Sequence, residues 1–188
     1  MTLTSGIILL IVCGLLYGAY FSIIHKKNKV KEAVAGIDVQ LTKRYDLIPN
    51  LLTMAAKFME HEKSLMTEIT QLRTNAMACS FKDDPLAKIN AEKMLDKKLK
   101  EFNVSLENYP DLKSNQTMLT AMQSLSEVEE HIAASRRFYN SAVNDLVNAT
   151  EIFPFSLFAS LLGIKADMPY FEADKLAHKA INSKDFFK

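Results

Sequence analysis

Hydrophobic and polar positions divide the chain into four stretches. Residues 7–24, IILLIVCGLLYGAYFSII, form an unbroken run without a charged side chain. About 18 such residues suffice to cross a bilayer as a helix. Roughly a dozen strongly apolar residues, at about −0.5 kcal/mol each, outweigh the two glycines and Ser22. Beyond the run the pattern becomes amphipathic. Ile37, Leu41, Ile48 and Leu52 recur at steps of four or close to it, with Arg44 inside the same stripe. The stripe continues through Ala55, Met59, Glu62, Met66, Ile69 and Arg73. No helix-ending signal other than Pro49 falls between about Asn28 and Met77, which predicts a rod of about 75 Å. Pro49 removes the amide that would bond the Tyr45 carbonyl and so favours a kink.

A loop is expected over 77–84, with Asp83 or Asp84 as helix cap and Pro85 at the first helical position. A second helix, from about Leu86 to Glu107, presents Leu86, Ile89, Leu95, Leu99 and Phe102. Its lysines, Lys93, Lys97, Lys98 and Lys100, read as a solvated surface. Tyr109-Pro110-Asp111 closes it. The third helix, from about Ser114 to Phe153, carries the clearest heptad. Its stripe is Met118, Met122, Leu125, Glu129, Ile132, Arg136, Tyr139, Val143, Leu146, Thr150 and Phe153, in steps of four and three. Phe155–Ile164 is a short apolar segment suited to capping the bundle end. The fold class expected is all-α: an N-terminal transmembrane helix, then a long antiparallel three-helix bundle with short C-terminal helical segments. The expected division is a short tail over 1–6, the transmembrane helix over 7–24, the bundle over 25–173 and a tail over 174–188.

Composition agrees with this. Glycine and proline number five each in 188 residues, too few for a turn-rich sheet protein. A formal net charge of +1 argues against a general nucleic-acid surface. Cys13 and Cys79 lie far apart and offer neither a disulfide framework nor metal-ligand spacing, so the redox compartment stays open. The apolar run does not read as a cleaved signal peptide, because Met1–Gly6 holds no basic side chain and His25-Lys26-Lys27 follows it. Bulky Ile11 and Val12 before Cys13 argue against a lipoprotein cysteine. Lys26, Lys27, Lys29 and Lys31 predict a cytoplasmic bundle and an external Met1. Gly14, Gly18 and Ser22 recur every fourth residue, a stripe that lets two membrane helices approach closely.

Charges at seam positions are the candidate site. Three antiparallel neighbours would run the first and third helices parallel to each other, and at equal rise per residue this brings Glu129 and Arg136 to the height of Glu62 and Arg73. The expected pairs are Glu62–Arg136 and Arg73–Glu129, neutralising each other and fixing register. The alternative is a pocket for a polar ligand or metal, with the Pro49 kink responding. Asn50 and Asn140 suit packing specification better than substrate contact. Enzyme readings find little support. His61-Glu62 opens like a zinc-protease helix motif, but Leu65 stands where the second histidine must be. His25, His61, His131 and His178 lack ligand spacing, and Glu129-Glu130-His131 is not the Glu-x-x-His of a di-metal bundle. No phosphate loop or activated nucleophile context is present. No catalytic residue, metal or cofactor is expected.

Several motifs resemble one family. Arg44-Tyr-Asp-Leu-Ile-Pro-Asn-Leu51 followed by His61-Glu62, then Glu107-Asn-Tyr-Pro-Asp-Leu-Lys113, resembles the bacterial LemA family. So do Glu129 through Ile132 to Arg136, Tyr139-Asn140, Phe153-Pro154, Leu162-Gly163 and Tyr170-Phe171-Glu172. Leu146 and Val147 stand where the family pattern usually repeats Tyr-Asn. The resemblance implies the same architecture and marks Arg44, Asp46, Asn50, His61, Tyr139 and Asn140 as motif polar residues. It implies no catalytic activity. The expected function is a single-pass protein of the bacterial plasma membrane, a non-enzymatic interaction or scaffold component of the envelope. Its expected partners are the bilayer through residues 7–24, an unidentified membrane or envelope protein and a second copy, with no nucleic acid. The alternative is a membrane-tethered sensor using the charged layer.

Overall fold

The apolar run and the first amphipathic stripe form one continuous helix, α1 (Leu3–Ala55), in the computed structural model. The structure describes residues 3–153, 155–161, 163–164 and 167–172. Pro154, Leu162, His178 and the tail expected over 174–188 lie outside the described residues. At about 1.5 Å per residue α1 is close to 80 Å long. Its N-terminal part is long and apolar enough to cross a membrane, and little of it is covered by the rest of the chain. Pro49 sits on the exposed side within α1 and does not end it.

The rod stops after Ala55 instead of continuing to Met77. The backbone turns over residues 56–59, makes one turn of 3-10 helix at Glu60–Glu62 and returns as α2 (Lys63–Ala78). No glycine or proline marks the turn. It closes through Phe58 and Met59 amides donating to the Ala55 carbonyl, each at 2.9 Å. Packing supplies the reason. Ala55 and Met59 are fully buried at the bend, and the returning helix buries Leu65, Met66, Ile69 and Ala76. A straight rod would run past α3 (Pro85–Ser105), which has only 21 residues to cover it.

Asp84 caps α3 by accepting from the Ala87 amide, with Pro85 in the first turn. A 3-10 turn and α4 (Pro110–Lys113) lead to α5 (Gln116–Glu151), capped by Asn115 through the Thr117 and Met118 amides. The last described helix, α6 (Phe155–Leu161), packs on α1 and α5 and closes one end of the bundle. Among the described residues there is no strand.

Cross-helix contacts set the directions. Lys29 meets Asp145 at 3.0 Å and Arg44 meets Glu129 at 2.9 Å, so α1 and α5 run antiparallel, not parallel as expected of the first and third helices, because the bend after Ala55 adds a segment between them. Lys98 meets Glu68 at 2.8 Å and Lys88 meets the Ala76 carbonyl at 2.7 Å, so α2 and α3 are antiparallel too. The protein is an all-α bundle as expected, with four long segments because the first stripe is folded in two.

Candidate functional site

The local problem is a missing amide. Pro49 cannot donate to the Tyr45 carbonyl, which would leave that oxygen without its helical partner. Because α2 folds back along α1, the Nε of Arg73 reaches that carbonyl at 2.7 Å. Arg73 therefore completes the helix at the proline. It does not pair with Glu129 as expected.

One turn earlier, Arg44 faces fully inward and is completely buried. Its guanidinium donates to Glu92 and Asp96 of α3, and to Glu129 of α5 at 2.9 Å. Burial alone would lower its pKa. Asp96, Glu129 and Glu92 outweigh burial and raise it above the usual arginine value, so the charge is secure. Asp96 divides its carboxylate, one oxygen to Arg44 and the other to Arg136 at 2.9 Å. Burial pushes Asp96 up, but the two arginines more than reverse this and hold it below the ordinary aspartate value.

Tyr45 and Lys88 close the layer on the α2 side. The Tyr45 hydroxyl donates to Glu92 and accepts from Lys88 Nζ at 2.9 Å. Lys88 also lies 3.1 Å from Glu92. Burial, and then the negative Glu92, keep the Tyr45 phenol neutral well beyond its usual range. Arg44, Lys88 and Arg136 thus face Glu92, Asp96 and Glu129, three charges of each sign. The Nε atoms of Arg44 and Arg136 are buried without an acceptor among the described residues. Each such group costs on the order of 1–3 kcal/mol, which the charged contacts around it must offset.

The expected pairs are therefore exchanged. Glu129 joins Arg44, not Arg73, and Arg136 joins Asp96, not Glu62. Glu62 lies in the 3-10 turn at the far end of the bundle, away from Arg136. The error has one source. A straight first helix would place Glu62 and Arg73 beside Glu129 and Arg136, whereas the bend brings residue 44 there. Lys88, Glu92 and Asp96 escaped sequence reasoning because charges on the second helix read as surface. The signal was present: Lys88, Glu92, Leu95, Leu99, Phe102 and Leu106 make a heptad stripe in steps of four and three. Leu86, expected on that face, is exposed, and so is Phe153 at the end of the α5 stripe.

The remaining motif residues divide into two groups. Asp46, Asn50 and His61 lie on the surface. Tyr139 and Asn140 pin the segment at Pro169 and Phe171. The Asn140 side chain donates to the Phe171 carbonyl and accepts from the Phe171 amide, both at 2.9 Å. The Tyr139 hydroxyl donates to the Pro169 carbonyl at 3.0 Å. Phe171 fills the space between, edge-on to Tyr139, beside Phe81 and under the Arg136 guanidinium at 5.2 Å. The Tyr139-Asn140 and Tyr170-Phe171-Glu172 motifs are thus two sides of one joint. Cys79, expected at the far end, is half-buried and follows the returning α2, so it lies near the middle of the bundle. Gly14 and Gly18 face open space.

A groove of about 330 Å3 between α3 and α5 runs past Asp96, Glu129 and Arg136. Asp96, Glu129 and Arg136 already bond to one another or to Arg44, and Lys100 also lines the groove. Among the described residues no group of three or more His, Cys, Asp or Glu side chains could hold a metal ion.

A search of curated proteins finds no match to this sequence. The sequence model of the LemA family matches residues 33–184, from the first turns of the bundle through its C-terminal joint. The match spans most of the chain, and the chain belongs to the LemA family.

Proposed function

We propose that this protein is a membrane-anchored, non-enzymatic helical bundle that acts as an interaction or scaffold component of the bacterial envelope. One observation carries this reading. Apart from the Nε atoms of Arg44 and Arg136, the buried polar cluster directs its charged contacts between α1, α3 and α5, which supports a structural joint. Such a layer fixes which helices meet and at what register. Function then falls to the outer surface and the anchor. The exposed apolar run over 7–24 supports a single pass through the plasma membrane, and Lys26, Lys27, Lys29 and Lys31 support a cytoplasmic bundle. The open face at Gly14 and Gly18 leaves room for a second anchor helix.

Photo-reactive residues at the exposed apolar positions Met94, Val104 and Leu119 test the interaction role in intact cells. Discrete cross-linked adducts are expected. Their absence at all three positions would sink the scaffold reading. Lys57→Cys, on the exposed far turn, reports the side of the membrane better than half-buried Cys79. Labelling by an impermeant thiol reagent only after lysis is expected. Labelling of intact spheroplasts would put the bundle outside the cytoplasm.

A further inference from the structure

The α1–α5 register reaches into the C-terminal end of the apolar run. With Lys29 opposite Asp145 and Arg44 opposite Glu129, α5 reaches its last turn beside Ile23, inside the apolar run. Ile23 is fully buried, as is Ala19 one turn deeper, beyond the end of α5. α6, which follows α5 in the chain, packs on both α1 and α5. Ala159 turns inward from α6 and is buried. Ile152 and Phe153 on the preceding turn, and Leu157 on the outer side of α6, are 56%, 75% and 63% exposed. A soluble bundle end would not gather these side chains next to an apolar helix whose own Tyr17 and Phe21 are bare. The cations of Lys26 and Lys27 stand just below, at the height expected of lipid phosphates.

We infer that the Ile152–Phe153 turn and the outer face of α6 enter the lipid interface beside the anchor, making a second, shallow membrane contact. An apolar face lying in the headgroup–acyl boundary sits about 5–10 Å deep. The contact rests on the anchor reading above. It would hold the bundle at the bilayer instead of letting it swing on one helix, because α6 is joined to both α1 and α5.

The chain has no tryptophan, so a single introduced one reports its own surroundings. Full-length Phe153→Trp, Leu157→Trp, Tyr17→Trp and Phe58→Trp variants are reconstituted in two sets of vesicles, with lipids brominated on the acyl chain near the glycerol for the shallow probes and near the chain end for Tyr17→Trp, and Phe58→Trp is read in both. All four positions are exposed, so the substitutions leave the core intact. Tyr17→Trp should lose most of its emission and Phe58→Trp, at the far turn, none. Loss of emission from Phe153→Trp and Leu157→Trp is the expected result. If Tyr17→Trp is quenched but neither α6-region probe is, the shallow contact is wrong while the anchor stands. A blue-shifted but unquenched Phe153→Trp would mean that protein, such as a second copy, covers the patch. An unquenched Tyr17→Trp would remove the anchor and this contact together.

Discussion

The seam between α1 and α5 is built in two ways along its length. Toward the apolar N-terminal run it is apolar, with Val30, Ala33 and Ile37 on α1 and Ala142, Val143, Leu146 and Ala149 on α5 all buried. In the middle, Arg44 replaces an apolar residue and meets three carboxylates from two other helices. Apolar layers reward burial without direction, so a slip of one heptad would still bury similar surface. The ionic layer tolerates no such slip, because a displaced Arg44 would be a buried charge without its partners. Burial holds the helices together, and the charged layer decides their order.

Breaking the two kinds of layer should give distinct results in denaturation of the full chain in detergent. Arg44→Met should cost the most, about 3–5 kcal/mol, since Glu92 and Asp96 lose a partner while Glu92 stays buried. Adding Glu92→Gln should recover part of that loss. Ile132→Ala in an apolar layer should cost about 2–4 kcal/mol, set by the cavity it leaves, with no rescue from a charge change elsewhere. If the Arg44 variant proves no worse than an exposed-site change, the ionic layer does not hold the bundle.

Asn140→Ala removes both bonds to Phe171 and should cost about 2 kcal/mol. Its mark should be local: faster hydrogen exchange at Phe171 and cleavage near residue 170, with the helices still protected. Asp96 gives a smaller effect, read through pH. Its folded pKa lies below the ordinary 3.8, so its contribution is fully present above 3.8 and disappears as pH falls through the lower folded value. Asp96→Asn should therefore be less stable near neutrality and lose stability less steeply in acid. The smallest effect belongs to Lys29→Ala. Its pair with Asp145 is more than one third exposed, and its loss should stay within about 1 kcal/mol.

Helix class and stripe were legible because burial imposes period 3.6 wherever a helix has one wet face. The α5 heptad, the Asp84–Pro85 helix start and the apolar N-terminal run are where the pattern places them. Arg44 was legible as an anomaly, a charge in a buried stripe. Its partners on α3, Glu92 and Asp96, were not, because acids on a helix look alike whether they face water or a buried cation. Leu86 showed the converse, an apolar residue on the same helix left in solvent. Asn140 was read as a packing residue, and the joint it makes with Phe171 depends on a segment 31 residues away.

By itself, the sequence determined that the chain is helical, that its first helix begins in an apolar run, and that Arg44 and Pro49 interrupt the first stripe. Tertiary structure alone decided that the stripe folds in two after Ala55, where no local residue demands a turn. The reason is the energy of the whole core. Bending buries Ala55, Met59 and the inner face of α2, and brings Arg73 to the carbonyl that Pro49 leaves unpaired. Those returns come from residues distant in sequence, so no local window contains them, and with the bend every charge in the layer changes its partner.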